Sequence, residues 1–237
     1  MPSENRITDL LLLPGMMCDA GLWQAQVDAL QDQYNVHVGD IGCADKVSDI
    51  AQDVLAAAPA QFAVAGLSMG GIVAMEMWRQ APERIQRIAL LDTNFRADVP
   101  DRFDIRNRQI AQVRAGALRE VLRDELKPNY LASGQQRNIA LLDEVVEMGV
   151  RQGAGVFERQ SLALRDRPDS STTLPTIDRP VLVLCGDEDR LCSPELHREM
   201  VALLPDAELE IINNCGHLST MEQPEAVNRA LRSWLCR

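Results

Sequence analysis

Short apolar runs alternate with longer stretches of helical periodicity along this chain of 237 residues. The runs at 9–13, 35–38, 62–65, 88–91, 181–184 and 209–212 are too short for ordinary helices and predict six strands. Four of them are almost continuously apolar, as strands covered on both faces are. Between them 47–58 and 70–80 read as helices, and 225–235 sets Ala226, Val227, Ala230, Leu231, Trp234 and Leu235 at helical spacing. This alternation predicts an α/β fold with a mostly parallel central sheet and helices on both faces.

The rhythm breaks between residues 95 and 178. No strand pattern appears there, the segments 105–126 and 136–167 look helical, and Pro100, Pro128, Pro168 and Pro175 punctuate the stretch. It reads as a helical cap inserted before the penultimate strand and sitting over one end of the sheet. The expected division is a core of 1–94 and 179–237 with a cap of 95–178.

Composition narrows the picture. With 46% hydrophobic residues the chain is expected to fold as one globular unit. At this size a core burying roughly 70–75% of the unfolded surface needs no disulfide or metal. The net charge of −11 argues against nucleic acid, whose phosphates require a clustered excess of Lys and Arg. None of the six cysteines stands in a C-x-x-C pair, so neither a metal nor a thioredoxin-type site is expected. The apolar run 10–13 is too short for a signal peptide or membrane span, which predicts a cytoplasmic protein with reduced thiols.

Gly66-Leu67-Ser68-Met69-Gly70 fits G-x-S-x-G between an apolar strand and a helix, the context in which a sharp turn lifts a serine hydroxyl above the strand end. A serine hydroxyl needs a base, and the chain has three histidines, His37, His197 and His217. His37 lies within an early strand, and His197 sits in a charged helical stretch where it is expected to be solvated. His217 follows the last strand, on a loop at the strand end where an open α/β sheet builds its sites. The imidazole in turn needs an acid to fix its tautomer. Asp187, Glu188 and Asp189 follow the strand at 181–184, and Asp92 follows the strand at 88–91. Acyl transfer also needs two N–H donors for an oxyanion. The backbone N–H of Met69 follows the nucleophile, and that of Met16 comes from the loop after the first strand.

These features resemble the serine α/β-hydrolases, in particular small carboxylesterases and pimeloyl-carrier-protein methyl ester esterases with a helical cap. The resemblance rests on Leu11–Gly15 with Trp23 downstream, Gly66–Gly71, Arg167-Pro168-Asp169, Pro180–Asp189, Cys215-Gly216-His217 and Glu222–Glu225. It implies a triad of Ser68, Asp189 and His217, the acid being the last residue of a G-x-x-D loop. It implies hydrolysis of a carboxylic ester or thioester through an acyl-enzyme, without cofactor or metal. A lactonase, a carbon–carbon hydrolase or an acyltransferase would use the same triad, and a ligand receptor would use the same scaffold. One departure is visible, because the family usually carries His-Gly where this chain has Pro14-Gly15.

The charge is unevenly spread. Residues 95–170 hold 13 Lys+Arg against 12 Asp+Glu, so a near-neutral, arginine-rich cap covers a strongly acidic core. Arg102 and Arg106, with Arg108 or Arg114, share part of a helix surface by their spacing. They are candidates for holding an anionic or carrier-bound substrate, against the alternative of a solvated face paired with Asp101, Asp104 and nearby acids. Met17 and Trp23 are further candidates for lining the pocket. Phe95, Phe103, Tyr130 and Phe157 are expected to pack the cap. A monomer or homodimer acting on a small molecule, without membrane or nucleic acid, completes the expectation.

Overall fold

A computed structural model describes residues 7–237. Six strands, β1 (Asp9–Leu13), β2 (Asn35–Val38), β3 (Phe62–Leu67), β4 (Ile85–Leu91), β5 (Val181–Gly186) and β6 (Ala207–Ile212), form one sheet in the order β2-β1-β3-β4-β5-β6. Every neighbouring pair is parallel. The six apolar runs thus all become strands; β3, β4 and β5 extend past them between two neighbours, and the edge strand β6 starts earlier, at Ala207 and Glu208, where it pairs with Val181 and Leu182 of β5.

Successive residues of a strand point to opposite faces, so each central strand feeds two cores. Leu11 and Leu13 of β1 join Val64, Leu90 and Val183 on one face, under α2 (Val47–Ala57) and α3 (Met69–Gln80). Leu10 and Leu12 join Ala63, Ala65, Leu182 and Leu184 on the other, together with Leu30 at the end of α1 (Gln24–Leu30) and Trp234 near the C-terminus. The edge strand β6 alternates instead. Its Glu208 and Glu210 face solvent, which also discourages edge-to-edge pairing.

The segment between β4 and β5 contains no strand. It holds α4 (Pro100–Arg114), the single turn α5 (Leu118–Glu120), a π-turn at Val121–Leu126, a 3-10 turn at Lys127–Asn129 and the long α6 (Ile139–Arg165). The continuous helix expected over 105–126 is broken at Gly116, whose φ of 98° suits glycine alone. Gly153, at φ 83°, kinks α6 in the same way. The cap has no separate core, since Val113, Leu122, Val146 and Phe157 pack in the cluster that contains Met16, Met17 and Ile72. Phe95 and Phe157 are buried packing residues as expected, and Phe103 is half-exposed. The chain ends with α7 (Pro194–Leu203), α8 (Ser219–Glu222) and α9 (Pro224–Leu235). Among the described residues no helix is long and apolar enough to cross a membrane.

The register lines up the strand ends. Leu13 pairs with Gly66, Leu67 with Leu91, and Leu91 with Leu184, so the loops after β1, β3, β4 and β5 leave the sheet along one edge. Ser68, Asp92, Asp189 and His217 all follow strands on that edge.

Candidate active site

Ser68 stands between β3 and α3 at φ 55° and ψ −114°, a conformation that L-residues adopt only when the surroundings enforce it. Two glycines make the turn possible. A Cβ on Gly66 would lie 2.3 Å from the carbonyl oxygen of Gly70, and one on Gly70 would lie 2.2 Å from the carbonyl oxygen of Leu13. The start of α3 therefore packs directly on the end of β1. From behind, the Thr93 hydroxyl donates to the Ser68 carbonyl at 2.6 Å.

His217 brings its ring to the serine. Its Nε2 lies 2.9 Å from Ser68 Oγ, and its Nδ1 lies 2.8 Å from Asp189 Oδ2. Because a carboxylate only accepts, Nδ1 carries the proton and Nε2 presents a lone pair to the hydroxyl. The other oxygen of Asp189 accepts N–H bonds from Leu191 at 2.8 Å and Cys192 at 2.9 Å. Both side chains are essentially buried. Burial alone would lower the His217 pKa, but the charge and hydrogen bond of Asp189 outweigh it and raise the imidazole above its ordinary value of 6.5.

The competing acids have other partners. Asp187 accepts from the Cys215 N–H at 3.1 Å, and Glu188 accepts from the Ser133 N–H at 2.8 Å. Asp92 is fully buried and accepts from Ser219 and from the Gly186 N–H. Burial, with the nearby Asp189 charge, holds its carboxyl well above the usual range, which favours the neutral acid. Cys192 Sγ lies within 4.8 Å of donor atoms of Asp189 and His217, the ligand spacing of a metal site. Its burial drives the thiol well above its usual range, however, and Asp189 and His217 Nδ1 are already committed to each other, so the group fits a metal poorly.

The loop after β1 lies against the serine, where a Cβ on Gly15 would come 3.5 Å from Ser68 Cβ. Neither the Met16 nor the Met69 N–H donates to any described residue. In contrast, the Met17 N–H donates to Gln160 Oε1 at 2.8 Å. A cavity of about 220 Å³ opens over this point, lined by Ser68, His217 and Met16 below and by Arg102, Arg106, Gln109, Tyr130 and Arg167 of the cap.

Several expectations change. Met17 and Trp23 do not line this cavity: both are fully buried in the core, Met17 turned inward by its φ of 53° and Trp23 packed in the face of the sheet that carries Leu10 and Leu12. His197 is not solvated but fully buried in α7. Its Nε2 accepts the Thr93 N–H at 3.1 Å while Nδ1 donates to the Ser193 carbonyl at 2.9 Å, so the ring is neutral, and burial lowers its pKa. It braces the same Thr93 that holds Ser68. His37 sits on the edge strand β2, 3.0 Å from Asp9. Tyr130, expected as packing, lines the cavity and meets the His217 ring edge-on at 5.2 Å, and its carbonyl accepts the His217 N–H at 2.7 Å.

The cap arginines separate into two groups. Arg108 and Arg114 form ion pairs with Glu125 and Glu158. Arg102, Arg106 and Arg167 surround one buried carboxylate, Asp98, at 4.0, 2.6 and 3.3 Å, a nearby acid that takes the pairing rather than Asp101 or Asp104. Arg167 is satisfied further by the carbonyls of Arg96 and Leu164. Among the described residues the terminal nitrogens of Arg106 make no hydrogen bond, and the Arg102 guanidinium makes none, its Nε standing 4.0 Å from Asp98.

Sequence reasoning also passed over Glu222. This buried carboxylate accepts the N–H groups of Ala132 at 2.8 Å, Gly216 at 3.0 Å and Leu218 at 3.3 Å, tying the cap to the loop that carries His217. Its place in Glu222–Glu225 was visible only as part of the resemblance.

An aligned serine, imidazole and carboxylate at the strand ends of a parallel α/β sheet define the class of serine-nucleophile hydrolase scaffolds. Residues 10–230 match the sequence profile of the alpha/beta hydrolase family, and the chain belongs to that family. It is 25% identical to a pimeloyl-[acyl-carrier protein] methyl ester esterase of Nitrosomonas europaea, over 92% of this chain and 91% of that protein. It is 24% identical to the carboxylesterase YbfK of Bacillus subtilis, over 96% of this chain and 80% of that protein. Among solved structures, a thermophilic esterase from Thermogutta terrifontis with malate bound is similar at 29% identity and a TM-score of 0.89, covering 98% of this chain and 90% of that one.

The raised pKa of His217 has a direct consequence. The imidazole must be neutral to accept a proton, so kcat/KM is expected to fall as pH drops through a pKa above 6.5. A profile flat down to pH 6 would contradict the charged Asp189–His217 pair.

Proposed function

We propose that this protein is a carboxylic ester hydrolase, and that thioesters are within its reach. The observation that carries the reading is the unbroken line from Ser68 Oγ through His217 to Asp189, opening on a cavity beside two unpaired backbone N–H groups.

His217 Nε2 takes the hydroxyl proton as Ser68 Oγ attacks the ester carbonyl carbon. The carbonyl π-electrons move to oxygen, and the Met16 and Met69 N–H groups receive the oxyanion, each donor of this kind contributing roughly 3–4 kcal/mol. Asp189 stabilises the imidazolium, which then protonates the leaving alkoxide as the C–O bond breaks. Water, deprotonated by His217, attacks the acyl-enzyme and releases the acid and the free serine. An alcohol in place of water would make the same site an acyltransferase, and competition between the two acceptors separates these outcomes.

The charge of the cavity bears on the substrate. Three guanidinium groups share the single carboxylate of Asp98, and Arg102 and Arg106 keep donors unfilled at the cavity wall. This supports an ester that carries an anionic group, and the malate held by the Thermogutta esterase is itself a dicarboxylate.

Two tests follow. Ser68→Ala is expected to lower kcat on nitrophenyl acetate by about 10⁴-fold or more; near-native turnover would place the nucleophile elsewhere. Arg102→Glu and Arg106→Gln are each expected to raise KM for a monoester of a dicarboxylic acid by about 10-fold, in line with the loss of one charge-assisted contact, while KM for the neutral ester of equal length stays put. Equal changes for both esters would remove the anionic assignment.

A further inference from the structure

Lys127 is only 1% exposed, and among the described residues no carboxylate lies within ion-pair reach of its ammonium. A buried charge without a counter-ion is costly, and an apolar side chain would fill the same space at no such cost. Its surroundings are specific. Nζ reaches the carbonyl oxygens of Met16 at 3.5 Å and Met17 at 3.4 Å, lies 3.8 Å from Cys18 Sγ, and sits 4.8 Å from the centre of the Tyr130 ring. All its partners belong to the oxyanion loop or to the residue that abuts His217.

The loop has few other supports. Pro14 offers neither an N–H nor a polar side chain. The peptide between Met16 and Met17 is gripped at both ends, its carbonyl by Lys127 and its N–H by Gln160. The preceding peptide turns its carbonyl, that of Gly15, inward to accept the Cys18 N–H at 3.2 Å. In a trans peptide the N–H points the opposite way. The Met16 N–H is thereby left as the outward-facing donor of the loop, beside Ser68.

We infer that Lys127 is a positioning residue for the oxyanion hole: reaching down from the cap, it holds the carbonyls of Met16 and Met17 so that the Met16 N–H stays aimed at the reacting carbonyl, and it sets a positive charge behind the developing oxyanion. The long distances to the carbonyls suit this role, because a charge acts over 3.4–3.5 Å where a neutral donor would be weak. The inference rests on the serine-hydrolase reading, and it makes the cap part of the catalytic apparatus as well as the cover of the cavity.

The test compares wild type, Lys127→Met, Lys127→Gln and Ser68→Ala on nitrophenyl acetate, with an aryl trifluoromethyl ketone as probe. In the probe complex Ser68 Oγ adds to the ketone carbon and its proton passes to His217, leaving a hemiketal oxyanion in the hole. Lys127→Met is expected to lower kcat by about 10–100-fold and to weaken the ketone by a similar factor, with KM within about twofold. Its Tm should not fall, because an unpaired buried charge has been removed; a merely structural lysine would lower Tm and leave the ratio of ketone to ester affinity unchanged. Lys127→Gln keeps a donor and drops the charge, so it should fall between the two, and it decides the matter if the methionine variant does not fold. Values of kcat and ketone affinity within twofold of wild type in the variant that folds would overturn the inference. Turnover and ketone binding surviving in Ser68→Ala would instead overturn the serine reading beneath it.

Discussion

The backbone of Ser68 is the constraint on which the rest of the site depends. A serine at φ 55° and ψ −114° directly after a buried strand is held there only because Gly66 and Gly70 leave room for carbonyl oxygens that a Cβ would strike. Once the turn is made, the hydroxyl stands above the sheet edge, the Met69 N–H opens beside it, and α3 starts on top of β1. Thr93 then ties the Ser68 carbonyl down, and the neutral, buried His197 ties down Thr93. The strained residue is therefore fixed from the side away from the cavity, leaving the open side for chemistry.

Two buried acids near the site are treated differently by their surroundings. Asp189 accepts two backbone N–H bonds and the imidazole N–H, whereas Asp92 is desolvated and repelled by Asp189, which holds its carboxyl above the usual range. The charge and hydrogen bond of Asp189, with a smaller contribution from Asp92, raise the pKa of His217 against its burial. From above, the cap contributes several contacts to this arrangement, Gln160 on the Met17 N–H and the Ser133 N–H on Glu188 among them. Glu222 binds the Ala132 N–H, the Tyr130 carbonyl binds the His217 N–H, and Lys127 reaches the loop after β1. Because the cap shares its apolar core with the sheet, these contacts are positioned by packing that extends to Ile72 and Met16.

The sheet was legible because most of its strands are nearly continuous apolar runs, a pattern that follows from burial on both faces. The cap was legible as helix but not in its breaks, since Gly116 and Gly153 act through positive φ and leave only a weak trace in periodicity. Ser68, Asp189 and His217 could be singled out because their chemistry demands particular residue types after particular strands. What was missed depends on long-range burial. His197 lies between Glu195, Arg198 and Glu199, and the helical turn that carries it inward shows only when its face toward Thr93 is known. Met17 and Trp23 flank a loop that approaches the site while their side chains turn to the core. Asp98 and Lys127 look like surface charges in a cap rich in them, and only tertiary packing buries one among arginines and the other without a counter-ion.

A serine hydrolase of this kind forms a covalent bond between Ser68 Oγ and the acyl carbon. Incubation with a fluorophosphonate ester, followed by intact mass and peptide mapping, tests it most directly. One phosphonyl group per chain on the peptide containing Ser68, with labelling slowed greatly by His217→Ala, is the expected result. Stoichiometric labelling of a different residue, or no labelling of a folded protein that still hydrolyses esters, would show that Ser68 is not the nucleophile.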